Sequence, residues 1–249
     1  MVNRNRYVEG MRKLIGTSSH KTEKGEGFGY LTGILYLAPA DTSGLGNLCA
    51  WANNCKKICL NTSGRGKTNH VQKARLNKTI FFLTQREAFM ETLFLNIKSI
   101  KRKAERLGLI PCIRLNGTSD LAFHRLIVPS QGKTLMDCYP DINYYDYSKS
   151  IKKALDNRNG LHAKNYHVTF SRDGYEQESE CFNALDNGVN VAMVFEKMPL
   201  EYKGYSVIDG DETDLRFLDK KAKVGEKGFI IGLKPKGKAK KDTSGFVIR

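Results

Sequence analysis

The sequence predicts an α/β fold: a (β/α) barrel or partial barrel with mainly parallel strands, or alternatively an open doubly wound sheet. Three observations predict it. Short apolar runs alternate with amphipathic helical segments from residue 28 onward. Six to eight such units fit the remaining chain, the size of a barrel or most of one. Polar residues burst out directly after the apolar runs, at the strand ends where barrel sites lie.

Residues 1–27 are polar and basic and read as a loose lead-in. Tyr30–Leu37 reads as a buried strand bounded by Pro39. Residues 41–68 form a glycine-rich loop, and 69–77 a short basic helix. Ile80–Leu83 is a short apolar run with the look of a strand. Thr84-Gln85-Arg86-Glu87 has capping-box form and opens the longest helix. Phe89, Leu93, Ile97, Ile100, Ala104 and Leu107 recur at steps of three and four and so share one face. Gly108 ends this helix, and Pro111 follows. Lys98, Lys101, Arg102, Lys103 and Arg106 crowd its last turns, where they favour the negative end of the helix dipole.

Further strands follow at 110–115, 143–147, 166–170, 190–195, 206–208 and 229–233. Helices at about 149–156 and 175–187 lie between them, the second ending at Gly188. Residues 28–249 thus form a single α/β domain with no internal repeat.

The chain has 249 residues and a formal net charge of +15, with 41 Lys and Arg against 26 Asp and Glu. That excess points to a polyanion, nucleic acid or a nucleotide, as partner. No run of 18 apolar residues exists, so no membrane partner is expected. The start, Met-Val-Asn-Arg-Asn-Arg, lacks the apolar run of a signal peptide, and a cytoplasmic location is expected.

In such a compartment the six cysteines have no need to form staples. Three of them, Cys49, Cys55 and Cys59, fall within eleven residues at C-x5-C-x3-C spacing, in the loop after the first strand. Clustered thiolates suit zinc or an iron–sulfur cluster. A structural zinc wants four protein ligands. His70, Cys112 and His20 are the candidates for a fourth. A [4Fe–4S] cluster held by three cysteines leaves one iron open. Buried, inert cysteines are the alternative.

Several segments carry a resemblance. Tyr36–Cys49, Cys59-Leu-Asn-Thr-Ser-Gly-Arg-Gly66 and Arg114-Leu-Asn-Gly-Thr-Ser-Asp120 resemble a family of bacteriophage proteins called gene product eighty-eight. Tyr145–Lys149, Phe170-Ser171 and Val207–Asp211 fit the same pattern. The resemblance covers the chain from about residue 30 to its end. It implies a phage-encoded protein, working in the host cytoplasm, and brings no activity with it. The order of motifs also resembles radical S-adenosylmethionine barrels, which place a cysteine triplet after the first strand. That resemblance implies a [4Fe–4S] cluster and S-adenosylmethionine as cofactors. The chain departs from it in spacing, since those enzymes use C-x3-C-x2-C, and it has no Gly-Gly-Glu segment. Transglycosylases that exchange a base in nucleic acid, with an aspartate nucleophile and zinc, are a third likeness.

At the strand ends, Asp120, Asn116, Arg114, Ser171 and Asp146 are the candidate catalytic residues, with Glu196, Asp209 and Asp211 at comparable places. A buried Arg114 needs a carboxylate, a phosphate or a ligand. Ordinary turns and a helix cap are the structural alternatives. Arg65 and Lys67 in Gly-Arg-Gly-Lys-Thr are positioned to meet phosphate, though no complete phosphate loop is present. Residues 220–241 hold nine lysines against Glu226 alone. Lys236, Lys238, Lys240 and Lys241 there read as a phosphate-tracking loop. Tyr139, Tyr144, Tyr145 and Tyr147 could stack on bases or pack in the core. The expectation is a metal-containing barrel enzyme acting on nucleic acid or a nucleotide. The alternatives are a zinc-containing nucleic-acid-binding protein and a transglycosylase-like base-modifying enzyme.

Overall fold

The structure, a computed structural model, describes residues 11–18 and 20–249. Its strands are β1 (Ile15–Gly16), β2 (Tyr30–Leu35), β3 (Ile110–Arg114), β4 (Ile127–Val128), β5 (Lys133–Thr134) and β6 (Asn143–Ser148). They continue with β7 (Tyr166–Ser171), β8 (Val191–Phe195), β9 (Glu201–Tyr202), β10 (Tyr205–Asp209), β11 (Ile230–Leu233) and β12 (Val247–Ile248). The helices are α1 (His20–Glu26), α2 (Asn54–Lys57), α3 (Asn69–Thr84), α4 (Arg86–Leu107), α5 (Leu135–Cys138), α6 (Ile151–Arg158) and α7 (Glu178–Asp186).

Ten strands form one sheet in the order β1-β2-β3-β6-β7-β8-β11-β10-β9, with β12 also on β8. From β2 to β10 every neighbouring pair along this path is parallel. The consecutive run β2-β3-β6-β7-β8 is the order of a partial barrel, but the sheet does not close. β1 and β9 are antiparallel strands at its two edges. The barrel expectation is therefore corrected to an open, mostly parallel sheet. β4 and β5 form a separate hairpin that the sequence reading missed.

Side chains alternate between the two faces of each strand. One face carries Leu31, Leu35, Ile113, Leu115 and Tyr144 into a core with Phe89, Leu93, Ile97 and Ile100 of α4. The same face continues through Phe170, Val191 and Met193 onto Ala154 of α6 and Cys181, Ala184 and Leu185 of α7. Gly33 lets α4 lie close, since a Cβ there would come within 2.8 Å of Ile100 and 2.9 Å of Ile113 and Ile15. The opposite face carries Tyr30, Cys112 and Tyr145, covered by Leu215 and Phe217. The longer helices thus cover one face, and a returning loop with α1 covers the other.

Three local expectations change. Ile80–Leu83 is the last part of α3, not a strand, because a short apolar run fits a buried helix equally well. Phe81 and Phe82 stack edge-on against Phe89. No capping box forms, because the Thr84 hydroxyl donates back to the Ile80 carbonyl at 2.7 Å and Gln85 is the N-cap of α4. Part of the supposed lead-in is ordered: β1 pairs with β2, and α1 packs on β2. Residues 1–10 lie outside the described residues. The left-handed Gly108 does end α4. The chain's last strand pairs with β8 at Val194 and Phe195, beyond the point where β7 stops.

Candidate metal centre

The parallel strands all point one way, so their carboxyl ends share one rim of the sheet. The loop between β2 and α3, holding all three clustered cysteines, leaves from this rim. Asp173, two residues past the end of β7, ties the loop down. Its carboxylate accepts the backbone N–H of Asn53 and, at 2.6 Å, that of Cys55. These are the N-cap and a first-turn amide of α2, which the side chain of Asn53 leaves uncapped.

The other two cysteines are held by different means. Cys49 Sγ accepts the Ala40 N–H at 3.3 Å and lies 3.8 Å from the Thr118 carbonyl. Cys59 Sγ accepts the Asn61 N–H at 3.4 Å. The Asn61 side chain in turn meets Arg75 of α3 and Gln72. All three thiols are free. Burial pushes all three pKa values up, Cys49 to about 11. The negative charge of Cys55 and Cys59 raises Cys49 further, and that of Cys59 raises Cys55. Positive charge offsets this: Lys149 faces Cys55 and Cys59, and Arg75 faces Cys59.

Lys149 follows the end of β6 and is buried. Its Nζ donates to Ser171 Oγ at 3.0 Å and to the Arg172 carbonyl at 2.7 Å. Asp120 stands beside it. The Asp120 carboxylate accepts the Lys149 N–H at 2.7 Å and the Ser148 hydroxyl at 2.9 Å, and pairs with Lys153 at 3.3 Å. The Asp120 N–H donates to Leu48, next to Cys49. Asp120 and Ser171 are thus brought to the rim that carries the cysteine loop.

The remaining strand-end candidates are engaged elsewhere. Asp146 is fully buried and accepts the Asn116 N–H at 2.9 Å, its Nδ2 at 2.8 Å and the Tyr166 hydroxyl at 3.0 Å. Burial pushes the Asp146 carboxyl up. The Asn116 Oδ1 accepts Ser119 and Leu121, so this pair braces the turn that carries Asp120. Arg114 lies on the face away from the longer helices, paired with Asp214 at 2.9 Å and stacked over the Tyr147 ring. It has found the carboxylate a buried arginine requires, one that the sequence reading did not name. Cys112, once a candidate zinc ligand, is buried on that face against Thr32, which leaves it a core thiol. His70 is exposed at the start of α3, and the His20 side chain lies outside the described residues. Tyr144 and Tyr145 are fully buried and Tyr139 nearly so, so these three pack rather than stack on a ligand.

Among the described residues, no group of three His, Cys, Asp or Glu side chains is arranged to hold one metal ion. The basic segments do come together. The turn at 60–62 meets the turn at 237–241, bringing Arg65, Lys67, Lys238, Lys240 and Lys241 to exposed positions on and beside the cysteine loop. Lys236 is instead paired with Asp211. Trp51 stands in the same loop, 60% exposed.

The sequence profile described as Gene product 88 matches residues 6–249. The chain belongs to this bacteriophage protein family. The match spans every strand and helix above, so the cysteine loop and its anchors at Asp173 and Lys149 lie within the family's matched region. No curated protein and no solved structure matches the chain.

The sequence reading missed Asp173, Lys149 and Arg75. Asp173 and Lys149 follow strand ends, the same signal that selected Asp120, and Asp173 is two residues beyond the chosen Ser171. Arg75 had only its place in a basic helix to mark it.

Proposed function

We propose that this Gene product 88 protein is an iron–sulfur enzyme of nucleic acid or nucleotide chemistry, with Cys49, Cys55 and Cys59 holding a [4Fe–4S] cluster. The observation that carries the proposal is the placing of three free, half-buried thiols in one loop at the carboxyl rim of a parallel sheet, with Lys149 near Cys55 and Cys59 and Arg75 near Cys59. A thiolate-ligated cluster is anionic overall, and buried cations nearby offset that charge. The raised thiol pKa values have the same meaning. Without a cation the site resists three thiolates, so loading must release protons. Cys49, Cys55 and Cys59 would hold the cluster, which would supply electron transfer and Lewis-acid chemistry to a bound substrate.

The chain's own residues would do the rest. Asp173 and the Asn61–Arg75 contact hold the loop. Asp120 and Lys149 place a carboxylate and an ammonium beside the thiols, positioned to orient a polar substrate. Trp51 offers a ring for a base, and Arg65, Lys67, Lys238, Lys240 and Lys241 offer contacts to phosphates. Anaerobic purification with iron, sulfide and zinc analysis tests this reading. Iron and sulfide near four per chain, lost in Cys49→Ala, Cys55→Ala and Cys59→Ala, are expected. A folded protein with neither iron nor sulfide after anaerobic reconstitution overturns it. One zinc per chain would move the function to the zinc-containing alternatives.

A further inference from the structure

A second site lies at the other end of the strands. A cavity of about 260 Å³ opens between the end of α6, the start of β7, the turn before β8 and the loop after 216–218. Arg158, Lys164, Arg216 and Lys221 line it together with His162 and His167, and among the described residues no Asp or Glu does. We propose that this cavity binds a small phosphate-bearing anion, remote from the thiol rim and independent of the cluster.

The cations are arranged, not scattered. The Arg158 guanidinium lies directly over Gly188, where a Cβ would come within 2.7 Å of Nη2 and 2.9 Å of Nε. Gly188 also has a left-handed φ of 74°, so the turn before β8 accepts glycine on both counts. The Arg158 Nη2 donates to the Lys223 carbonyl at 2.9 Å, which fixes the guanidinium at the cavity wall. Lys221 is oriented from the other side. Its ammonium donates to His167 Nδ1 at 3.3 Å, which leaves the proton of a neutral ring on Nε2, 3.4 Å from Asn143 Oδ1.

Nearby carboxylates are already engaged. Asp156 faces His162 but is paired with Lys152 at 2.8 Å. Asp219 faces Lys221 but is paired with Arg216 at 3.4 Å. Arg158 and Lys221 repel one another across the cavity: burial and then Arg158 lower the Lys221 pKa, and Asp219 offsets them in part. An anion between them relieves that repulsion. A phosphate dianion matches the fork of a guanidinium beside an ammonium, and the volume suits a phosphate with a small organic group.

Titration calorimetry on the full chain tests this, using inorganic phosphate, a nucleoside monophosphate and the unphosphorylated nucleoside. Saturable binding of one or both phosphate-bearing probes, with none of the nucleoside, is expected. Inorganic phosphate alone would identify the free ion as ligand, and tighter monophosphate binding a phosphorylated metabolite. Lys221→Ala and Arg158→Gln should each weaken binding at least tenfold. Cys49→Ala should leave it unchanged, which separates this site from the thiol cluster. No saturable binding at millimolar probe overturns the proposal. So does unchanged affinity in Lys221→Ala and Arg158→Gln proteins that melt like the wild type.

Discussion

Replacing Asp173 by alanine removes the anchor that joins the cysteine loop to the sheet. Two backbone amides, those of Asn53 and Cys55, lose a carboxylate acceptor. Charge-assisted bonds of this kind contribute about 1.5–3 kcal/mol each. The loop is partly exposed, so its freed amides regain water on opening, and the lower end of the range applies. The pair then contributes about 3 kcal/mol, or about two decades in the opening equilibrium. The loss is local, because no strand of the sheet runs through residues 49–59. Hydrogen exchange followed by mass spectrometry is the assay. Amides of residues 53–59 should exchange about 100 times faster, while those of β3, β6 and β7 keep their protection. A global loss of the same size would lower Tm by about 6–12 °C, and a smaller fall is expected here. Asp173→Asn, which keeps one acceptor oxygen, should show about half the free-energy effect. Unchanged exchange in the loop, or loss of protection across the sheet together with the loop, would refute the reasoning.

Three other outcomes follow from the same structure. Gly33→Ala places a methyl group against Ile15, Ile100 and Ile113, and the overpacking should cost about 1–3 kcal/mol in urea unfolding. Burial holds His124 down at about 3, aided by His162, and His167 at about 4, aided by Lys221. Between pH 6.5 and about 4 the unfolded chain takes up protons that these folded rings refuse, so stability falls as pH falls through that window. Asp219, pushed up by burial to about 6, works in the opposite direction. Unfolding midpoints at pH 7, 5.5 and 4.5 measure the balance, and His167→Asn should flatten the fall. Lys238→Ala, Lys240→Ala and Lys241→Ala combined should reduce the salt slope of duplex binding by about 0.9 for each phosphate that these lysines neutralise. An unchanged slope would remove them from the interface.

The alternation of apolar runs and polar bursts made the strands from Tyr30 to Leu233 legible, because each strand of a parallel sheet is buried on both faces. The helix face of α4 was legible from its spacing from Phe89 to Ala104, while Leu107, placed on the same face by spacing, is exposed. Closure was not. Whether the end strands meet depends on β1 and β9, two-residue strands with no pattern to read. Ile80–Leu83 misled because a four-residue apolar run has no measurable period. At the candidate site, the cysteine spacing and the strand-end rule selected residues that the fold places on one rim: the three thiols, Asp120 and Ser171. Asp146 and Asn116 lie instead in a buried hydrogen-bonded pair under the turn that carries Asp120, a placement that sequence order alone does not reveal. Asp173 and Lys149 come from strands far along the chain, and only the parallel order of β6 and β7 carries them to the loop. The basic tail reads as free, yet Ala239 is buried and Phe246–Ile248 pack back through β12. The tail's lysines gain a fixed place beside Arg65 and Lys67.

The central claim is that the three thiols share one iron–sulfur cluster. Anomalous diffraction at the iron edge, from crystals grown without oxygen, tests it most directly. The account predicts strong iron density bonded to Cys49 Sγ, Cys55 Sγ and Cys59 Sγ, with one iron lacking a protein ligand. Density at the zinc edge instead, or iron bonded to none of the three sulfurs, would contradict it.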